Sequence, residues 1–216
     1  SVLAHEDMLI LQDLLRDTSI FLISDEVYEH LVFDGLRHNS ILKYPELFSR
    51  SFVCFSFGKV YNCTGWKLGY CVAPSALTAE FRKIHQFDAF CCFTPTQVAL
   101  AAHLQKEERY LNLSSFMQQK RDLFLHEMKD SPFTLLNSSG SYFVCATYEK
   151  LGKVPAMKLA IQLTKTIGVA TIPVAAFYAD GNDDQVLRFC FAKRDETLQE
   201  AAKKLSGIAH MADVFQ

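Results

Sequence analysis

The chain has 216 residues, half of them hydrophobic, with 22 Lys and Arg against 24 Asp and Glu for a formal charge of -2. That suffices for a substantial core in one large domain or one and a half ordinary ones. With no basic block longer than Lys203-Lys204, a grip on nucleic acid or anionic membrane has little support, and a small-molecule partner fits better.

In chain order, Met8, Leu9, Leu11, Leu14 and Leu15 recur at a helical period and predict a helix over 5–17. The start, SVLAHEDMLILQDLLRD, is acidic and amphipathic, unlike a signal peptide, and its lack of an initiating Met suggests a chain cut from something longer. TSIFLIS (18–24) is apolar and β-rich and reads as a buried strand; helix followed closely by strand suggests α/β architecture. SFVCFS (51–56) and LGYCVA (68–73) are two further strands. After Pro74 the pattern is helical over about 75–88 and 95–106, and 107–130 reads as one long helix whose Lys and Arg form a solvated face. PFTLL, SYFVCATY, VATI and QVLRFCFA then read as strands flanking a helix at 155–167, an α+β pattern distinct from the first half. The domain change is placed near residue 112, giving 1–112 and 113–216.

No apolar stretch reaches the roughly 18 uninterrupted residues that span a membrane. The seven cysteines (54, 63, 71, 91, 92, 145, 190) show no CxxC spacing and mostly lie in apolar runs. They read as buried, reduced thiols of a cytoplasmic protein, not as a zinc site. His5, His30, His38, His85 and His103 have no ligand-like spacing, so no metal is expected.

SFGKVYNCTGWKLGY (56–70) joins two of the strands. A lysine is ordinarily a solvated charge, but Lys59 follows a strand through Ser56-Phe57-Gly58, a small link that holds its amine at the carboxyl end of a sheet, where open α/β folds bind ligands. An amine desolvated there, or set near a second cation such as Lys67, is nucleophilic enough to form a Schiff base. Ser56 and Lys67 offer a hydroxyl and a positive charge to a phosphate. SDEVYEHLVF (24–33) follows the first strand, and if a helical turn begins there Asp25 and Tyr28 share one face. A carboxylate against a pyridine nitrogen keeps it protonated, which makes the ring an electron sink, and a phenol can hydrogen-bond the ring's 3-oxygen. Asp25 alone reads more readily as a helix N-cap; together with Tyr28, Ser56, Lys59 and Lys67 in this order it favours a site.

These segments, with FTPTQVALA (93–101), GSYF (140–143), GVATIP (168–173) and LRFCFAK (187–193), resemble the pyridoxal 5'-phosphate (PLP) dependent aminotransferases of fold type I, class I/II. The resemblance is to the subgroup of kynurenine (glutamine) and methionine aminotransferases. It implies the α/β PLP-dependent transferase fold: part of a large domain with a mixed, mainly parallel sheet, then an α+β small domain. It implies Lys59 as the Schiff-base lysine, Asp25 at the pyridine nitrogen, Tyr28 at the ring oxygen, and Ser56 and Lys67 at the phosphate. Many relatives carry arginine at the position of Lys67; lysine keeps the point charge and gives up the bidentate fork. Arg188 falls where the family grips the substrate's α-carboxylate, although alone it reads equally well as a strand arginine paired to a surface carboxylate.

The implied reaction is ping-pong transamination of methionine, glutamine or an aromatic, kynurenine-like amino acid with a 2-oxo acid, by a homodimer. Phe90, Phe93 and Phe177 are compatible with a large uncharged side chain, though such residues are more often core. The family's upstream Asn-Pro-x-Asn-Pro-Thr-Gly segment, stacking aromatic and phosphate loop have no counterpart here. The chain is therefore expected to be the carboxyl-terminal part of such an enzyme, with an exposed sheet edge, prone to self-association and poorly active. A carbon-sulfur β-lyase on the same lysine and a noncatalytic lobe are the alternatives.

Overall fold

The computed structural model describes residues 2–208, which fall into two compact units, Val2–Ser114 and the residues from Ser115 onward. The N-terminal unit opens with α1 (His5–Leu15), which buries Met8 and Leu15. It continues through β1 (Leu22–Asp25), α2 (Pro45–Phe48), β2 (Ser51–Ser56), the single turn α3 (Phe57–Val60) and β3 (Gly69–Val72). The helices α4 (Ser75–Asp88), α5 (Thr94–Leu104) and α6 (Glu108–Leu111) follow, and α7 (Leu113–Glu127) leads into the second unit.

The sheet order is β1-β2-β3, with β1 parallel and β3 antiparallel to β2. Alternation along β2 sorts its side chains between two faces. Val53 and Phe55 join Met8, Leu15, Ile41, Tyr44 and Leu47 in the core, with Leu22 and Val72 packed against them, while Phe52, Cys54 and Ser56 take the other face. Each such large buried side chain stabilises the fold by about 1.5–3 kcal/mol. The Arg50 guanidinium donates to the carbonyls of Leu15 (2.7 Å) and Thr18 (2.9 Å), fastening the link between α1 and β1 to the start of β2.

The expected buried strand over 18–24 differs in two ways. Only Leu22–Asp25 enter the ladder, and Ile20, Phe21 and Ile23 are exposed, Ile23 by 78%. β1 pairs with β2 alone among the described residues, so an apolar run that suits a covered strand stands at an open edge. The single helix expected over 107–130 is two, interrupted at Asn112, whose N–H bonds back to the Glu108 carbonyl as a cap. Asn competes with the helix through its own side chain and favours such positions. The cysteines are half-buried and Cys91 is exposed, where buried thiols were expected, because several lie on strand faces turned from the core.

The C-terminal unit is built on a second sheet, all antiparallel, of β4 (Thr134–Leu135), β5 (Phe143–Thr147), β6 (Ile172–Pro173) and β7 (Val186–Cys190) in the order β4-β5-β7-β6. The helices α8 (Ala156–Gln162) and α9 (Asp195–Gly207) flank it, and α8 runs on as a π-helical turn to Ile167, closed by Gly168 at φ 75°. Val144, Ala146, Leu187 and Phe189 form the sheet's buried rows, with Phe189 against Phe124 of α7 and against Phe133. No helix among the described residues is long and apolar enough to cross a membrane, and no cluster of three His, Cys, Asp or Glu could hold a metal ion.

Candidate active site

Register brings the candidate groups of the first unit to one edge. β1 and β2 are parallel, so their carboxyl ends, Asp25 and Ser56, point the same way; β3 starts opposite Ser56 at Gly69, which leaves the preceding Lys67 at that same end. Beyond Ser56 the chain turns at once into α3, and buried Gly58 and Val60 anchor that turn under half-buried Lys59. A Cβ on Gly58 would lie 2.9 Å from the Thr64 Cα, so glycine lets α3 close on the following 3-10 turn, Thr64–Trp66. Lys67 ends that turn at φ 51°, ψ 45°, a left-handed conformation that costs a non-glycine residue about 1–2 kcal/mol. Strain kept at such a residue points to a function.

Tyr28 reaches the same region, with the Lys59 Nζ 6.0 Å from the centre of its ring. No helix carries Asp25 and Tyr28 on a shared face. The exposed Asp25 carboxylate accepts from the Val27 N–H (3.3 Å), and two further turns, Glu29 N–H to the Glu26 carbonyl and Leu31 N–H to the Tyr28 carbonyl, take the chain off the strand. Asp25 is thus the last residue of a strand and the first of a turn, a placement that fixes its carboxylate without a helix N-terminus.

Sequence reasoning passed over Glu26. Only 5% exposed, it accepts from Ile41 N–H (2.9 Å) and Ser24 Oγ (3.1 Å) and lies 2.7 Å from His38 Nε2. Burial opposes its charge, yet the hydrogen bonds from His38, Ser40 and Ile41 hold its carboxyl below the usual range. It ties the loop at 38–41 to the end of β1, directly beside Asp25. The acidic Asp25-Glu26 pair was visible, but partners 12 and 15 residues downstream were not.

A cavity of about 210 Å³ adjoins this edge, lined by Ser56, Phe57, Tyr61, Tyr70, Glu29 and Tyr110 among others. Within it Glu29 Oε2 and Tyr61 Oη are buried without a hydrogen-bond partner among the described residues. Burial pushes the Glu29 carboxyl and the Tyr61 phenol up and the neighbouring His30 down, in each case by opposing the charged form. Phe90 and Phe93, expected as core or pocket, are exposed; Phe93 lines a wider groove with Trp66 and Pro95.

Arg188 belongs to the second unit. It stands on β7, flanked by Cys145 of β5 and Ile172 of β6. Its guanidinium carbon lies 4.2 Å from the centre of the Phe143 ring and 5.3 Å from that of Phe177, within cation–π reach of both. Among the described residues its buried Nε has no hydrogen-bond partner and no carboxylate pairs with it. Aromatic faces fix the plane of the fork and leave its donors for a planar anion.

An amine, a carboxylate, a phenol, a hydroxyl and a second cation thus stand at the carboxyl edge of a mixed sheet in the first unit, and an antiparallel α+β unit follows in the chain. The chain belongs to the aminotransferase class I and II family, whose model matches residues 1–205. It is similar to the methionine aminotransferase of Escherichia coli, at 41% identity over 95% of this chain and 53% of that protein. The probable N-succinyldiaminopimelate aminotransferase of Mycobacterium tuberculosis is 33% identical over 97% and 55%. Kynurenine–oxoglutarate transaminase 1 of Rattus norvegicus is 30% identical over 94% and 53%. Among solved structures, a methionine aminotransferase from Escherichia coli superposes with a TM-score of 0.92 at 40% identity, covering 96% of this chain and 55% of that one. The chain thus spans about half the length of the curated relatives it matches.

Proposed function

We propose that this chain carries the cofactor-holding and carboxylate-gripping groups of a PLP-dependent aminotransferase that exchanges the amino group of a large uncharged amino acid, of the methionine, glutamine or aromatic kind, with a 2-oxo acid. The observation that carries the reading is the convergence of Asp25, Tyr28, Ser56, Lys59 and Lys67 at one sheet edge. This donor set fits pyridoxal phosphate: an amine for its aldehyde, an acid for its ring nitrogen, a phenol for its 3-oxygen, and a hydroxyl and an ammonium for its phosphate. When bound, the cofactor supplies a sink for the electron pair left as the substrate's Cα loses a proton.

Lys59 Nζ would hold the cofactor through its aldehyde carbon, and the same amine, when free, would take and return the substrate's Cα proton as general base then acid. Asp25 would keep a bound pyridine nitrogen protonated by its charge. Ser56 and Lys67 fix the phosphate end, and the strained backbone at Lys67 holds its ammonium there. Arg188, held between the Phe143 and Phe177 rings, offers its guanidinium fork to a substrate carboxylate. In this reading 1–112 is the end of the large cofactor domain and 113–216 the small domain. The exposed Ile84, Phe87, Phe90, Phe93 and Val98 support a homodimer, and seven free cysteines suit a reducing cytoplasm.

The test is to load the chain with pyridoxal phosphate, add L-methionine, L-glutamine or L-kynurenine, and measure 2-oxo acid. Release that falls to background in Lys59→Ala, and by about 100-fold or more in Arg188→Ala, is expected. Loaded chain giving no more oxo acid than Lys59→Ala would overturn the assignment, and pyruvate from cystathionine without a new amino acid would make it a carbon-sulfur lyase.

A further inference from the structure

The structure sorts the seven thiols in a way their spacing does not. Cys54 on β2 and Cys71 on β3 are direct partners across an antiparallel ladder. Residues so opposed have Cα atoms about 4.5–5.5 Å apart in either ladder position, inside the range of about 4.4–6.8 Å that a disulfide spans. Their side chains leave the sheet on the same face, the one turned from the Val53–Phe55 core, and both thiols are half-buried. Cys145 and Cys190 share a face of the second sheet but lie diagonally, Cys145 opposite Arg188 and Cys190 opposite Phe143. Diagonal neighbours are about 7–8 Å apart, too far for a bond without backbone movement.

We propose that Cys54 and Cys71 form a vicinal dithiol that closes reversibly into a cross-strand disulfide when it meets a low-molecular-weight disulfide such as oxidised glutathione. The bond forms by two exchanges. The Cys71 thiolate attacks one sulfur of the glutathione disulfide, breaking its S–S bond and releasing one glutathione thiolate. The Cys54 thiolate then attacks the mixed disulfide, forming the Cys54–Cys71 bond and releasing the second glutathione. The two protein thiols lose two electrons and two protons, and one glutathione disulfide becomes two glutathione thiols. Burial, then the neighbouring Cys71 and Asp25, push the Cys54 thiol up, and the two exchanges balance in either order.

The location gives the bond a consequence. Asp25, Cys54 and Cys71 form one row across the three strands, and two residues further on Ser56 faces Gly69. A covalent tie at that row clamps β3 to β2 at the base of the segment that carries Lys59 and Lys67. Thiols in reducing compartments that form disulfides are typically redox-responsive and not structural, and neither cysteine is needed to hold a cofactor.

The test treats the whole chain with oxidised glutathione, caps remaining thiols with iodoacetamide, and digests with trypsin without reduction. Cleavage after Arg50, Lys59, Lys67 and Arg82 puts Cys54, Cys63 and Cys71 on separate peptides, 51–59, 60–67 and 68–82. The expected product is a 51–59/68–82 linked pair that dithiothreitol releases, with Cys54→Ser giving instead a glutathione adduct on Cys71. Recovery of Cys54 and Cys71 both as capped thiols or as separate glutathione adducts, while Cys91 or Cys92 oxidises in the same sample, would overturn the proposal. A linked pair that includes Cys63 in place of either would do the same.

Discussion

Gly69→Ala is the substitution whose effect the structure fixes most closely. Gly69 opens β3 opposite Ser56, and a Cβ there would lie 2.3 Å from the Phe55 carbonyl oxygen. That is more than 1 Å inside the optimum of about 3.5 Å for non-bonded heavy atoms. The obstacle is backbone in the central strand, so β3 must back away from β2 and stretch the ladder. Overpacking of this kind costs about 1–3 kcal/mol, and the stiffer unfolded chain returns less than about 1. With a urea slope of about 2 kcal/mol per molar, a net loss of about 2 kcal/mol lowers the midpoint by about 1 M. Gly65→Ala is the control: it lies in the exposed 3-10 turn and a Cβ there meets nothing within 4 Å. Equilibrium urea unfolding followed by circular dichroism reads both. A Gly69→Ala midpoint within about 0.2 M of the Gly65→Ala midpoint would refute the claim that β3 is seated this closely on β2.

Three other outcomes follow from particular contacts. Glu26→Gln removes the charge from a buried acceptor of hydrogen bonds from Ser24, His38 and Ile41 among others and should cost about 2 kcal/mol at pH 7. The folded-state pKa of Glu26 is depressed, so its contribution is complete above the ordinary carboxylate value and is lost as the pH falls through the folded value; acid titration of stability should lose that step in the variant. Lys67→Gly relieves the left-handed strain and should raise stability by about 1 kcal/mol while weakening pyridoxal phosphate binding, measured by urea unfolding and by absorbance titration. Phe143→Leu removes the ring 4.2 Å from the Arg188 guanidinium and should raise KM for every amino acid tested more than it lowers kcat; a change in kcat alone would contradict the positioning role.

How much of this was legible in the sequence follows from how far each feature's causes lie along the chain. β2 and the small link to Lys59 were legible because the apolar, β-rich run SFVCFS and a glycine before a lysine are local. The same local reading failed at TSIFLIS, since an apolar run is equally apolar with a partner strand beside it or without one, and only the sheet order places Ile23 in the open. Helical periodicity carried across Asn112 because Tyr110 and Leu111 precede it and Leu113, Phe116 and Met117 follow it, and the break depends on one capping hydrogen bond. Glu26 drew no notice because a buried carboxylate is defined by its partners, here His38 and Ile41. The aromatic platform of Arg188 comes from Phe143, 45 residues back, and Phe177, 11 back, and the alignment of Cys54 with Cys71 exists only once β2 and β3 pair. The identity of the candidate groups came from the resemblance of their motifs to a family; their meeting at one edge is a property of strand register.

The most direct measurement of the central claim is to incubate the chain with pyridoxal phosphate, reduce with borohydride, and map the modified lysine by mass spectrometry beside Lys59→Ala. The account predicts a single dominant adduct on Lys59, lost in the variant and weakened in Lys67→Ala. Label scattered over several lysines, in the same pattern with and without Lys59, would contradict it.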